Sequence, residues 1–166
     1  MNRWVRNLEV ATNIAVLGAF LLVGAVAAKR FWEPSSSSDP NGPTVGATIH
    51  LKSVDWSKSD QNLVLALSTG CHFCSESADF YHRLVPAAAS NGVRVLAVLP
   101  QPISEGRSYL EELGLDVPEV LQSPLSTIDV SGTPTVLLLD RQGRIRKAWV
   151  GKLGAKQEQQ VISGLF

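Results

Sequence analysis

The chain has 166 residues, enough for one domain of ordinary size with additional segments. Lysine plus arginine and aspartate plus glutamate number 15 each, so no excess of positive charge indicates nucleic-acid binding. An apolar content of 45% supplies a core and excludes a disordered chain, and two cysteines are too few for a disulfide-scaffolded mini-protein.

The first predicted element is an uncharged apolar segment at residues 10–28, which follows a short N-terminal segment at residues 1–9. As a helix rising about 1.5 Å per residue, it would nearly match the roughly 30 Å hydrocarbon core of a bilayer. Trp4 before it and Phe31-Trp32 after it lie where interfacial aromatic residues are expected. These features predict a single transmembrane anchor in a lipid bilayer. The alternative is a cleavable signal peptide, because Ala25-Val26-Ala27 fits the small-x-small rule for cleavage.

The residues that follow the apolar segment predict a linker and then one globular domain. Residues 29–43 are rich in serine, proline, asparagine and glycine, which predicts a flexible linker that holds the domain away from the membrane. The patterned part of the chain is residues 44–166. Basic residues are balanced on the two sides of the anchor, so the positive-inside rule does not decide on which side the domain lies.

Within residues 44–166, apolar patterning predicts strands that alternate with helices. Pro86 should kink or split the first helix, and Ser104 should cap the second. Short apolar or alternating runs predict a strand or an edge hairpin at 45–51 and strands at 62–67, 93–99, 117–121, 135–140 and 144–150. Longer stretches predict helices at 73–89, 104–113 and 155–165.

Glycine residues are predicted to end these elements. Asn91-Gly92 and Gly114 should stop the first two helices, and Gly143 should make a tight turn between the last two strands. Strands joined through helices should pair in parallel, whereas the hairpin at Gly143 adds antiparallel strands. The predicted fold is therefore α/β, a mixed sheet with helices on both faces.

The tetrad Cys71-His72-Phe73-Cys74 contains the only two cysteines of the chain. Two thiols separated by two residues can close a small disulfide and open it again, which predicts dithiol/disulfide exchange. Cys71 lies where a buried strand ends and a helix begins, so free backbone N–H groups and the helix dipole favour its thiolate. We predict that Cys71 attacks a substrate disulfide and that Cys74, which should be less exposed, resolves the mixed disulfide.

The two residues between the cysteines each have two interpretations. His72, when protonated, could stabilise the Cys71 thiolate, or it could be a solvated loop residue that tunes the redox potential slightly. Phe73 either forms an exposed apolar rim for substrate or packs on the domain, and packing is the preferred interpretation. A zinc site would need four ligands, which two cysteines and scattered histidines supply only with unusual geometry or in a dimer. No metal and no cofactor is therefore predicted.

Further motifs downstream of the tetrad carry a family resemblance. A strand, Cys71-x-x-Cys74 and a helix, followed by Val130-Ser131-Gly132-Thr133-Pro134-Thr135 and an apolar strand, resemble the thioredoxin fold. Residues 113–121 and the LLLDRQGRI stretch resemble the redoxin branch that includes TlpA- and ResA-like proteins, which are membrane-tethered, extracytoplasmic thiol-disulfide oxidoreductases. The resemblance implies that Pro134 is a cis-proline facing the disulfide. It also implies that the backbone of Thr133 pairs with a substrate peptide as an added strand.

The sequence departs from thioredoxin at the strand before the tetrad and within the tetrad. The strand at 63–68 lacks the buried acid and the tryptophan of thioredoxin, and His72-Phe73 replace its Gly-Pro. These departures leave the redox potential and the proton acceptor for Cys74 open. Glu76, Asp79 and Glu105 are the candidate acceptors.

Together these features predict single-pass, extracytoplasmic thiol-disulfide exchange on protein disulfides, on the periplasmic side and in the direction of a reductase. Because the sequence contains no nicotinamide or flavin motif, electrons would come from a membrane dithiol donor, or pass to an acceptor of that kind. One alternative is a redoxin-type thiol peroxidase, which Ser68-x-x-Cys71 faintly resembles. Another is a thioredoxin-fold factor for metal or cytochrome assembly.

Overall fold

The computed structural model describes residues 42–165. The predicted N-terminal segment at 1–9, the apolar anchor at 10–28 and nearly all of the predicted linker lie outside the described residues. Among the residues that are described, no helix combines the length and apolar character needed to cross a bilayer.

The described part of the chain alternates strands and helices in the order that the sequence predicts. Its strands are β1 (Gln61–Ala66), β2 (Arg94–Leu99), β3 (Glu119–Gln122), β4 (Thr135–Asp140) and β5 (Ile145–Val150). Its α-helices are α1 (His72–Glu76), α2 (Ala78–Ser90), α3 (Ile103–Glu112) and α4 (Ala155–Ser163). Two short 3-10 helices are also present, Trp56–Lys58 and Leu125–Ile128.

The strands form one mixed sheet in the order β3-β2-β1-β4-β5. β1 pairs in parallel with β2, and β2 pairs in parallel with β3, as expected for strands joined through helices. β4 is antiparallel to both β1 and β5, so the predicted closing hairpin is confirmed. β1 is central because its apolar run is buried on both faces of the sheet.

The two faces of the sheet have separate cores. Leu63 and Leu65 of β1 belong to the core that includes the buried residues of α2, α3 and α4. Val64 and Ala66 point to the opposite core, which includes Trp56 and residues of the second 3-10 helix. The predicted flanking of both faces by helices is therefore confirmed, with α-helices on one face and short 3-10 helices contributing to the other.

The predicted helix at 73–89 is divided in two, but the division is not at Pro86. α1 ends and α2 begins at Ser77, whose backbone has left the helical region at φ −95° and ψ 6°. The Ser77 hydroxyl donates a hydrogen bond to the carbonyl oxygen of Phe73 at 2.8 Å. Side chains of this type compete with the helical ladder for backbone groups, which accounts for a break there. Pro86 lies inside α2.

Two further expectations need correction. Ser104 does not cap α3, because Pro102 occupies the N-cap position and its carbonyl oxygen accepts the first helical bond, from Gly106 at 2.9 Å. The segment at 45–51 is not a strand. It contributes an isolated antiparallel bridge between Thr48 and Arg144, which directly precedes β5.

The turn at Gly143 is confirmed and is closely packed. Gly143 has φ +74°, a conformation that side chains other than glycine rarely adopt. A Cβ atom added there would lie 2.5 Å from the Trp56 ring. The indole nitrogen of Trp56 donates to the carbonyl oxygen of Ile49 at 3.1 Å, which fixes the ring against the turn.

Candidate active site

Cys71 and Cys74 are joined by a disulfide, with their Cα atoms 5.3 Å apart. Cys71 is the N-cap residue of α1 and is partly exposed. Cys74 lies one helical turn further along and is fully buried in the core that faces the α-helices. The expected difference in exposure between the two sulfurs is thus present in the structure.

The position of Cys71 follows from the end of β1. Leu67 still bonds through its N–H to the carbonyl oxygen of Val98, at 3.0 Å, and the chain then turns. The Cys71 N–H donates to the carbonyl oxygen of Ser68 at 3.1 Å, which closes the turn just before α1 begins. A buried strand followed by a tight turn therefore presents Cys71 at the edge of the sheet.

Side chains from α3 and the residues before it hold this turn. The Gln101 amide donates to the Ser68 hydroxyl at 3.0 Å, and the Thr69 hydroxyl donates to Glu105 at 2.9 Å. Further along α1, the hydroxyl groups of Ser75 and Tyr109 share a hydrogen bond of 3.2 Å. Sequence analysis did not find Gln101 or Tyr109, because their pairing with the tetrad region depends on tertiary packing.

The Cys71 sulfur already accepts a hydrogen bond from the backbone. The N–H of Cys74 lies 3.2 Å from it, in the arrangement of a helix N-cap. A backbone donor aimed at this sulfur favours a thiolate after the disulfide is opened, because a hydrogen bond to the charged form stabilises that form. Cys71 is therefore partly accessible to solvent, and a backbone N–H is placed to hydrogen-bond its thiolate.

His72, Glu76 and Lys152 form a continuous chain of side-chain contacts along α1, the helix that carries the disulfide. The His72 Nε2 atom lies 3.0 Å from one carboxylate oxygen of Glu76, one helical turn away on α1. Lys152 lies 2.8 Å from the other carboxylate oxygen. The hydrogen bond from Lys152 is the main reason why the pKa of Glu76 lies below its ordinary value, and His72 adds to this lowering. Sequence analysis did not identify Lys152.

Phe73 is exposed, so the preferred expectation that it packs on the domain is wrong. Its relative exposure is 55%, among the largest of the apolar residues that the structure describes. Its ring is tilted against that of His72, with the centroids 5.9 Å apart. The second interpretation, an apolar rim beside the disulfide, matches the observed exposure.

The peptide bond between Thr133 and Pro134 is cis, as the resemblance implied. The bond lies directly before β4, whose first residue, Thr135, pairs with Ala66 at the end of β1. The cis-proline and the turn that carries Cys71 are thus at the same end of the sheet. The Pro134 carbonyl oxygen accepts from Gly151 at 2.7 Å. Within residues 42–165, the backbone N–H and C=O of Thr133 make no hydrogen bond.

The three candidate proton acceptors for Cys74 are all exposed, whereas Cys74 is fully buried. Glu76 is engaged with His72 and Lys152, and Glu105 accepts from Thr69. Tyr81 belongs to the same core as Cys74, but its hydroxyl is not a base at neutral pH, because burial raises its pKa further. The structure therefore singles out none of the three carboxylates.

No cluster of three or more histidine, cysteine, aspartate or glutamate side chains that could hold a metal ion occurs within residues 42–165. His50 and His82 are both exposed. His82 is engaged with the carbonyl oxygen of Leu113 at 2.6 Å, on the side of the domain where α3 ends.

Comparison with known proteins relates much of the chain to one fold. No protein-family model matches the sequence. A curated relative, the thiol-disulfide oxidoreductase ResA of Geobacillus thermodenitrificans (strain NG80-2), is 26% identical over 101 residues. The match covers 58% of this chain and 58% of that protein, so the chain spans well under two thirds of the length of the relative.

Solved structures resemble the chain over a larger share of its length. The thioredoxin domain of a thiol-disulfide oxidoreductase from Bacteroides vulgatus is 19% identical, with a TM-score of 0.57, covering 75% of this chain and 98% of that one. A thiol:disulfide interchange protein from Bacteroides sp. is 18% identical, with a TM-score of 0.56, covering 75% and 89%. StoA from Bacillus subtilis is 20% identical, with a TM-score of 0.51, covering 62% and 82%. The chain therefore has a thioredoxin-like fold.

Proposed function

We propose that this chain catalyses thiol-disulfide exchange on protein disulfides, with Cys71 as the attacking residue and Cys74 as the resolving residue, in the direction of a reductase. One observation carries the proposal: a closed disulfide in which one sulfur is accessible and hydrogen-bonded to a backbone N–H, and the other is buried one turn away. The names of three of the similar proteins above, thiol-disulfide oxidoreductases or a thiol:disulfide interchange protein, support it.

The exchange begins with the reduced protein. The Cys71 thiolate attacks one sulfur of the substrate disulfide, forming a mixed disulfide and releasing the other substrate sulfur as a thiolate that takes up a proton. Cys74 then loses its proton and attacks the Cys71 sulfur, which closes the Cys71–Cys74 disulfide and releases the second substrate thiol. Two electrons and two protons pass from the protein dithiol to the substrate disulfide. A dithiol donor then returns the protein to its reduced state.

Substrate would be held beside Cys71. The unpaired backbone groups of Thr133 offer one N–H and one C=O to an extended peptide, in the manner of an added strand. The exposed ring of Phe73, on α1, offers apolar contact. In this proposal Pro134 sets the direction of the Thr133 backbone, and His72, exposed and next to the attacking residue in the chain, is a further substrate contact.

The proposed location is the outer face of a membrane, the periplasmic side, with the anchor at residues 10–28 holding the domain near a membrane dithiol donor or acceptor. Its supports are the apolar segment in the sequence and the chemistry, since protein disulfides persist mainly outside the cytoplasm. Fractionation of cells that express the full chain tests it. The chain should sediment with membranes and resist extraction by alkaline carbonate, and recovery of the whole chain in the soluble cytosolic fraction would contradict the proposal.

Turnover of a protein disulfide tests the activity directly. The full chain should accelerate reduction of insulin by dithiothreitol, and the variant Cys71→Ala should lose the acceleration entirely, because the attacking sulfur is absent. His82→Gln is a matched control, since His82 is exposed and bonded to Leu113 on another part of the surface. Insulin reduction that is no faster with the chain than without it would contradict the proposal, as would peroxide consumption that persists in Cys74→Ala.

A further inference from the structure

The disulfide end of the sheet carries two exposed apolar side chains. Within residues 42–165, the large apolar residues that are exposed are Val45, Phe73 and Ile103. Phe73 belongs to α1, the helix that Cys71 caps. Ile103 is the first residue of α3 and follows β2, which ends beside the end of β1. Val45 lies at the other end of the sheet, where its neighbour Gly46 bonds to the first residue of β5.

Hydrogen bonds place the start of α3 against the turn that follows β1. Gln101, which precedes Ile103 by two residues, donates to the Ser68 hydroxyl at 3.0 Å. Glu105, which follows Ile103 by two residues, accepts from the Thr69 hydroxyl at 2.9 Å. Both hydroxyl groups belong to the turn that leads directly into the attacking cysteine. Ile103 is therefore flanked in the chain by two residues that contact this turn.

The packing of α3 explains why Ile103 is exposed. Leu110 follows Ile103 by about two helical turns, so the two side chains lie on nearly the same face of the helix, and Leu110 is buried. Gly106 between them is also buried, and a Cβ atom there would lie 3.3 Å from side-chain atoms of Leu99 and Val120. Leu99 is the last residue of β2. The first turn of α3 therefore extends beyond the end of β2 and leaves Ile103 46% exposed.

We propose that Ile103 is a substrate-contact residue that favours protein disulfides with an apolar side chain next to the reacting cysteine. The inference rests on the proposed function and names the substrate class more closely. During exchange the substrate is bonded to the Cys71 sulfur, so the residues beside that sulfur are held close to the turn that α3 contacts. An aliphatic substrate side chain there removes apolar surface of Ile103 from water, whereas a polar side chain gains no such contact.

The experiment measures how fast the reduced full chain reduces two symmetric peptide disulfides. Each is a dimer of a short peptide with one cysteine, which has leucine on both sides in one peptide and serine on both sides in the other. Release of free peptide thiol gives each rate, which is divided by the rate with dithiothreitol to remove intrinsic differences between the peptides. The unmodified chain should favour the leucine peptide.

Ile103→Ser should lower the rate on the leucine peptide by about fivefold, the effect expected for losing contact over about half of an isoleucine side chain. The rate on the serine peptide should not change. Ile103→Leu keeps the apolar surface and should keep the preference. Val45→Ser is the matched control, because it removes an exposed apolar side chain at the other end of the sheet and should change neither rate.

A separate measurement examines the attacking sulfur itself. In the Cys74→Ala background, adding Ile103→Ser should leave the rate of Cys71 alkylation by iodoacetamide unchanged, because Ile103 contacts the substrate and not the sulfur. A changed alkylation rate would overturn the inference, as would equal losses on the two peptides or no loss on the leucine peptide. A dimer of the chain that Ile103→Ser dissociates would also overturn it, since a second copy would then cover this surface.

The outcome for the proposed function is read separately, from the unmodified chain. If that chain reduced neither peptide, the proposed function would fail and the inference with it. If it reduced both peptides and Ile103→Ser had no selective effect, the inference alone would fail.

Discussion

Cys71 and Cys74 are three residues apart, yet one is partly exposed and the other is fully buried. The difference arises because Cys71 caps α1 at the edge of the sheet, while the next turn of α1 directs Cys74 into the core. A substrate disulfide can therefore reach Cys71 but not Cys74. The order of attack and resolution in the proposed exchange follows from this asymmetry.

Truncation of the Phe73 side chain should weaken contact with protein substrates and leave the stability of the fold almost unchanged. Because the ring is 55% exposed, Phe73→Ala should change the free energy of unfolding by less than about 0.5 kcal/mol. Reduction of insulin should slow several-fold, whereas reduction of a small aromatic disulfide that makes no rim contact should not change. Enzyme assays with the two substrates check this expectation.

Val45→Ala is the matched control for the Phe73 variant. Val45 is equally exposed at 55%, but its neighbour Gly46 bonds to Ile145 at the opposite end of β5 from the disulfide. The control should reduce both substrates at the rate of the unmodified chain. If Phe73→Ala reduced both substrates more slowly by the same factor, that result would count against a rim that contacts protein substrates.

At the residue scale, the sequence predicts the reactive groups of the site better than it predicts the residues around them. The spacing of Cys71 and Cys74 and the resemblance at Thr133-Pro134 predict a disulfide and a cis bond, and both are present. Lys152 was not predicted, because no local pattern indicates that a residue 76 positions from Glu76 will contact it. The exposure of Phe73 was one of two interpretations but not the preferred one, because no local pattern decides whether its ring meets the domain.

At the scale of elements, the strands were predictable because burial on both faces of the sheet leaves a continuous apolar run in the sequence. β4 begins and ends where the sequence predicts, β1 is shifted by one residue at both ends, and β2 begins one residue later than predicted. The break at Ser77 was not predictable from propensity, since it depends on a hydroxyl group that bonds backward to Phe73.

The tight turn at Gly143 should be intolerant of any side chain. Gly143→Ala should lower the free energy of unfolding by about 3 kcal/mol, because it combines a positive φ with a Cβ atom that meets the Trp56 ring. Gly92→Ala is the matched control: Gly92 has φ +70° but no atom near a new Cβ, so the loss there should be about 1 kcal/mol. Urea unfolding measures both, and equal losses would show that the Trp56 contact is unimportant.

The pairing of β2 with β3 should contribute a pH-dependent part of the stability. The guanidinium of Arg94 on β2 hydrogen-bonds the carboxylate of Glu119 on β3 and lowers its pKa below the ordinary 4.5. A lowered pKa in the folded state stabilises the fold above pH 4.5, and this contribution is lost as the pH falls through the folded value. Glu119→Gln should therefore reduce the free energy of unfolding at neutral pH but not in strong acid.

The expected size of that reduction is about 0.5 kcal/mol at neutral pH, because the carboxylate is partly exposed and water screens the pair. Glu111→Gln is the control, since Glu111 is exposed on α3 and makes no ion pair in the described residues. Urea unfolding of both variants and the parent at several pH values provides the comparison. A Glu119→Gln difference that is constant from acid to neutral pH would contradict the assigned role of the pair.

At the scale of the whole molecule, the topology brings together what the sequence separates. The tetrad follows the central strand β1, and Thr133-Pro134 precedes its antiparallel neighbour β4, so both lie at one end of the sheet. The parallel pairs and the closing hairpin were predictable from the crossover rules and the hairpin signal, whereas the place of β4 beside β1 was not predicted. The contacts of α3 with the turn before Cys71 were not, because they depend on the packing of α3 against the sheet rather than on any pattern within it.

The central claim, that Cys71 attacks and Cys74 resolves, is tested most directly by trapping. The reduced variant Cys74→Ala, mixed with a protein that contains one accessible disulfide, should accumulate as a covalent complex that dithiothreitol dissolves and that mass spectrometry locates at Cys71. The reduced variant Cys71→Ala should form none, because Cys74 is buried. A complex that forms through Cys74 in Cys71→Ala, or no complex through Cys71 in Cys74→Ala, would contradict the claim.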